Sequence, residues 1–160
     1  MANQLVGAGV VQTITFETEQ FDFANEYNNV QTFQPNQEGV YSIDSNVLFT
    51  PVSSGSPYFA ELRLVVNNII VATDTQQVVP ASGTFSFHSF NVSTIDGLNA
   101  GDQVIVQFFT TIPGSINSYT GNRNTHFAAA RFPFTSPVPP FAPPATASNS
   151  DFVLPTQIEI

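Results

Sequence analysis

Apolar and polar positions alternate with a period of two along most of this chain. In residues 41–49 the odd positions read Tyr41, Ile43, Ser45, Val47 and Phe49, while the even ones are mostly polar. Successive side chains of a strand point to opposite faces, so this spells a half-buried strand. In residues 58–66 the even set Tyr58, Ala60, Leu62, Leu64 and Val66 faces one way and Glu61 and Arg63 the other. Asn67-Asn68 follows, then Ile69-Ile70-Val71-Ala72. Asn tolerates positive φ, so this predicts a hairpin closed by a two-residue turn. Further strands are expected at residues 10–16, 30–33, 84–94, 103–111 and 125–132. Phe85 and Phe87 have opposite parity to Phe90 and Val92, which predicts a bulge near His88 or Ser89. Turn signals fall at residues 35–39, 51–57, 80–83, 96–97 and 114–121. No window of eleven residues sustains a helical stripe. The expectation is an all-β, antiparallel jelly-roll sandwich.

After Phe132 the pattern changes. Residues 133–155 hold 7 of the 12 prolines, a composition suited to an extended arm and not to a sheet interior. Alternation returns at residues 151–160, with Phe152, Leu154, Ile158 and Ile160 on one parity. The chain therefore divides into a sandwich domain, residues 1–132, and a Pro-rich arm with a terminal strand, residues 133–160.

Composition narrows the function. Charged residues make up 9% of the chain, against about 25% in ordinary soluble domains. Ser, Thr, Asn and Gln supply 55 of 160 residues, the only cations are Arg63, Arg123 and Arg131, and the net charge is -9. Such a chain cannot neutralise a run of phosphates, which excludes nucleic acid, and it is repelled by anionic membranes. There is no Cys, hence no disulfide or thiolate chemistry. No apolar run is long enough to span a bilayer, and the first residues carry no signal-peptide pattern. Release to the outside without a cleaved signal, as with virion or spore-surface proteins, is the expected route.

Residues 10–132 resemble the C1q/TNF-like globular head, including bacterial members at the tips of collagen-like surface fibres. The likeness rests on Asn25, Tyr27, Phe33 and Pro35, then Gly39-Val40-Tyr41-Ser42-Ile43. It continues in the turn Leu98-Asn99-Ala100-Gly101-Asp102 before an apolar strand, and in the closing run Thr125-His126-Phe127-Ala128-Ala129-Ala130-Arg131-Phe132. The resemblance implies a ten-strand-type jelly roll that forms a tight trimer and serves binding or assembly, with the Phe and small residues of 125–132 near the symmetry axis.

Residues able to carry chemistry are few. No nucleophile elbow, HExxH, P-loop or GxGxxG occurs. His88 and His126 read as core or surface histidines before ligands or catalysts. Glu17, Glu19, Asp22 and Glu26 cluster as hard oxygen ligands for calcium would, but without EF-hand spacing they read as a solvated acidic loop. Asp102 reads as a turn former that accepts N–H groups two residues on. The many Phe lack a polar handle and favour a core over a sugar-stacking platform. Asn91-Val92-Ser93 is a formal glycosylation sequon of little weight here. No cofactor and no metal are expected. The expected function is a non-enzymatic assembly subunit of an exposed particle or fibre, associating with itself through Phe127, Phe132, Phe152, Leu154, Ile158 and Ile160. The alternative is a head that binds a receptor or glycan.

Overall fold

The computed structural model describes residues 3–17, 22, 24–28, 31–53, 55–79, 87–117 and 125–133. Every regular element among them is a strand: β1 Gln4–Val6, β2 Gln12–Thr13, β3 Tyr27–Asn28, β4 Thr32–Phe33, β5 Gly39–Pro51, β6 Tyr58–Val66, β7 Ile69–Val78, β8 His88–Leu98, β9 Val104–Thr110, β10 Gly114–Ile116 and β11 His126–Arg131. One sheet runs β1-β10-β5-β11, with β8 on the other side of β5; the second runs β3-β4-β9-β6-β7, with β2 also on β9. All pairings are antiparallel. The chain swings from β5 to β6 and β7 in the second sheet, back to β8, across to β9 and home to β10 and β11. That is the winding of the expected all-β jelly-roll sandwich.

Alternation explains the two layers. The odd positions of β5 are all buried, and Tyr41, Ile43, Val47 and Phe49 meet Phe90, Val92 and Leu98 of β8 within one sheet. Opposite them lie Tyr58, Ala60, Leu62 and Leu64 of β6 with Val104, Val106 and Phe108 of β9. Phe108 knits the layers, its ring centroid 5.2 Å from those of both Phe49 and Phe90. Offset and edge-on aromatic pairs of this kind add to the simple burial of their area. Ser45, fully buried on the same face, is tolerated because its hydroxyl donates to the His126 carbonyl at 3.0 Å.

The hairpin is as expected: Val66 pairs Ile69, and Asn67 and Asn68 have φ of 49° and 68°, the two positive values of a type I′ turn. Several expectations are corrected. The β5–β8 register is unbroken from Leu98 to His88, so no bulge lies at His88 or Ser89, and Phe87 simply points outward, 54% exposed. The bulge is at Val71 in β7, the extra residue between the pairs Leu64–Ala72 and Val65–Ile70. Asp96-Gly97 is not a turn; it pairs with Tyr41 and Val40 inside β8. The stretch read as strand over residues 10–16 keeps only Gln12–Thr13, after which Ile14 drops into the core. Residues 114–116, read as part of a turn, form β10 against Pro51, Thr50 and Phe49. The arm and its terminal strand, residues 134–160, and Phe85 lie outside the described residues.

Candidate assembly interface

The outward face of the first sheet is assembled row by row from the register. Cross-strand partners share a face, so the rows across β11, β5 and β8 are Ala130–Ser42–Ile95, Ala128–Asp44–Ser93 and His126–Asn46–Asn91. Leu48 and Ser89 continue it at one end, and Val40 and Gly97 at the other. Phe132 adds to that second end, its N–H donating to the Val40 carbonyl at 2.9 Å. From strand spacings the three-strand patch spans about 20 Å by 10 Å. Apart from Asp44 and His126 its side chains are uncharged, and Ile95 is 66% exposed and Phe132 43%.

The one carboxylate on these rows is well tied down. Asp44 Oδ2 lies 2.9 Å from His126 Nε2, and Oδ1 accepts from Asn91 Nδ2 at 3.3 Å. The Ser89 hydroxyl donates to Asn46 Oδ1 at 2.8 Å. The polar groups are thus bonded along the sheet, which lowers what a partner must replace when water leaves.

The outer face of the second sheet has a different character. Arg63 forks onto Glu61 with contacts of 2.7 and 2.9 Å, and Phe59 packs edge-on to Phe109 beside them. The guanidinium bond holds the Glu61 carboxyl below its ordinary range despite some desolvation, and raises Arg63 further. That face carries a charged pair, its side chains only 21% and 16% exposed.

The sequence-selected residues scatter. Phe127 turns inward, its ring 5.8 Å from Tyr27 and Phe33 and 6.0 Å from Phe16, so in the single chain it packs the sandwich and does not project from it. Phe132 lies on the outer face. Phe152, Leu154, Ile158 and Ile160 lie outside the described residues. The two histidines do not meet: His88 pairs with buried Phe49 on the inner face, while His126 pairs with Asn46 on the outer face. His88 packs edge-on to Tyr58 at 5.8 Å, and burial lowers its affinity for a proton. Burial likewise pushes the Tyr58 phenol up to about 12.

The acidic loop has a structural task. Asp22 Oδ1 accepts from the N–H groups of Glu26 at 3.0 Å and Ala24 at 3.3 Å, and Oδ2 from Tyr27 at 2.8 Å. Its slight burial raises the carboxyl, but these backbone donors outweigh it and hold the group below its ordinary value. Glu26 Oε1 accepts from the Asn36 N–H at 2.8 Å. Glu19 is outside the described residues; among those described, no three His, Asp or Glu converge at metal-ligand range. Asp102 is a turn former, but backwards from expectation: Oδ2 accepts the N–H of Asn99 at 2.7 Å, three residues earlier, and Oδ1 takes Asn67 Nδ2 at 2.8 Å.

Sequence reasoning passed over Ile95, Ser42 and Asp44. The available signal was parity: an isoleucine among Ser93, Asp96 and Gly97, opposite in phase to Phe90 and Val92, marks an apolar residue on a polar face. No protein-family profile matches the chain, and no curated protein matches it in sequence.

Proposed function

We propose that this protein is a non-enzymatic structural subunit of an environment-exposed particle or fibre, of the virion or spore-surface kind. It associates with itself as a jelly-roll trimer and is tied into a higher assembly by its C-terminal arm. The observation that carries this reading is the neutral face of β11, β5 and β8. Ala, Ser and Asn lie flat over three strands, with Ile95 and Phe132 exposed and the sole carboxylate paired. Interface cores are depleted in charged side chains, and small residues let two sheets approach closely. Asp44 is the one of the chain's 12 acidic residues on these rows, and the net charge of -9 favours solubility of the whole. The likeness of residues 10–132 to the C1q/TNF-like head supports a threefold arrangement. Sedimentation of the full chain tests the reading: a trimer or larger species at micromolar concentration is expected, and a stable monomer there overturns it.

A further inference from the structure

We infer that the open edge of β11 receives residues 151–160 of a neighbouring copy as an added antiparallel strand. The inference rests on the self-assembly reading and names the acceptor that the arm would use.

The edge is defined by the backbone. Because the Phe132 N–H bonds to Val40 and the register is continuous, residues 126, 128 and 130 share their backbone groups with β5. The N–H and C=O groups of Phe127, Ala129 and Arg131 then point away from it, and β11 pairs only with β5 among the described residues. Among the described residues the other edges are partly engaged, blunted or short. Along β8, the Asn91 N–H is taken by Asp74 Oδ2 at 3.1 Å and the Ser89 carbonyl is approached by Gln76 Nε2 at 3.5 Å, both from β7. Those two side chains sit on the inward positions of β7 and blunt its edge as well. β1 has three residues, and β2 and β3 have two each. β11 offers six residues, with three consecutive alanines that let a strand come close.

The core beneath this edge is unfinished. Phe16, Tyr27, Phe127 and Ala129 are only partly buried, although they pack against the central cluster. A strand laid beside β11 with apolar residues inward would cover them. Residues 151–160 have the right pattern, since Phe152, Leu154, Ile158 and Ile160 share one parity. The proline supplies an independent check. In an antiparallel pair, residues facing each other across a bonded position share a face. With the apolar parity inward, the bonding N–H groups belong to residues 152, 154, 156, 158 and 160. Pro155 then falls where its missing N–H would have faced away. In a parallel pairing it would interrupt the ladder.

Arm length favours the neighbour. An antiparallel return to the chain's own β11 needs only a turn of about two to five residues. Residues 133–150 extended at ~3.1 Å each reach about 55 Å.

The test uses the full chain in its assembled state, with amide exchange followed residue by residue. Protected Phe127 and Ala129 amides are expected. Leu154→Pro and Ile158→Pro, which remove bonding N–H groups, should speed their exchange more than about tenfold, whereas Val153→Pro, on the other parity, should not. Dilution to free protomers should release the same amides. The inference is overturned if those amides exchange freely in the intact assembly, in which case self-assembly stands and only the acceptor is wrong. It is equally overturned if prolines of both parities act alike, or if protection survives in isolated protomers.

Discussion

Gly114 leaves no room for a side chain. A Cβ there would stand 2.3 Å from two ring carbons of Phe49 and 2.5 Å from the Thr50 carbonyl oxygen. Phe49 is fully buried between Tyr58 and Phe108 and cannot swing aside. Gly114→Ala should therefore cost about 2–3 kcal/mol by overpacking, read as a lower urea midpoint at unchanged slope. Asp22 makes a different kind of prediction, because its effect depends on pH. Its folded-state pKa is lowered, so its contribution is complete above the ordinary carboxyl value of 3.8 and fades as pH falls through the lower folded value. Asp22→Asn should cost about 1 kcal/mol in urea unfolding near neutral pH, with the gap to the parent protein closing in strong acid. An equal gap at both pH values would show that the carboxylate charge is irrelevant to that loop.

At the scale of elements, the β6–β7 hairpin couples turn chemistry to a neighbouring loop. Asn67 and Asn68 both hold positive φ, and Asn67 also bonds outward, to Asp102 and, through its Oδ1, to the Gln103 N–H at 3.0 Å. Asn68→Gly should be near neutral and Asn68→Ala should cost about 1 kcal/mol, whereas Asn67→Ala should cost about 2 kcal/mol by chemical denaturation. This hairpin, β5 and β6 were legible in the sequence because strict alternation and a two-residue Asn turn are local signals. The far half of β7 was not: Thr73, Asp74, Thr75, Gln76 and Gln77 have no apolar parity, since Asp74 and Gln76 turn inward to bond β8. β10 was hidden by its glycine, which reads as a turn but serves a close approach to Phe49. Phe127 was recognised as important, yet its parity relative to β5 is a tertiary property, and that parity places the ring inside. The outer face of β11, β5 and β8 left two signs in the sequence, the general scarcity of charge and the parity of Ile95.

For the whole molecule, two sheets with unlike outer faces make an asymmetric body. One face carries the Glu61–Arg63 pair; the other is mostly uncharged, holds the Asp44–His126 contact and is apolar at one end. A charge placed on the second face should act on assembly alone. Ile95 is 66% exposed and Ala130 is also exposed, so Ile95→Asp or Ala130→Asp should change the unfolding free energy of the protomer by no more than about 0.5 kcal/mol. Either should weaken association at least tenfold, because a carboxylate would be buried without a partner. Raising salt should strengthen association of the parent protein, since protomers of net charge -9 repel one another at low ionic strength.

Electron cryo-microscopy of the purified full-length chain addresses the central claim most directly. The account predicts discrete oligomers or a filament in which the face formed by β11, β5 and β8 is buried between copies, with Ile95 and Phe132 out of solvent. Free protomers at micromolar concentration, or an assembly that leaves this face open to water and joins copies through the Glu61–Arg63 face, would contradict it.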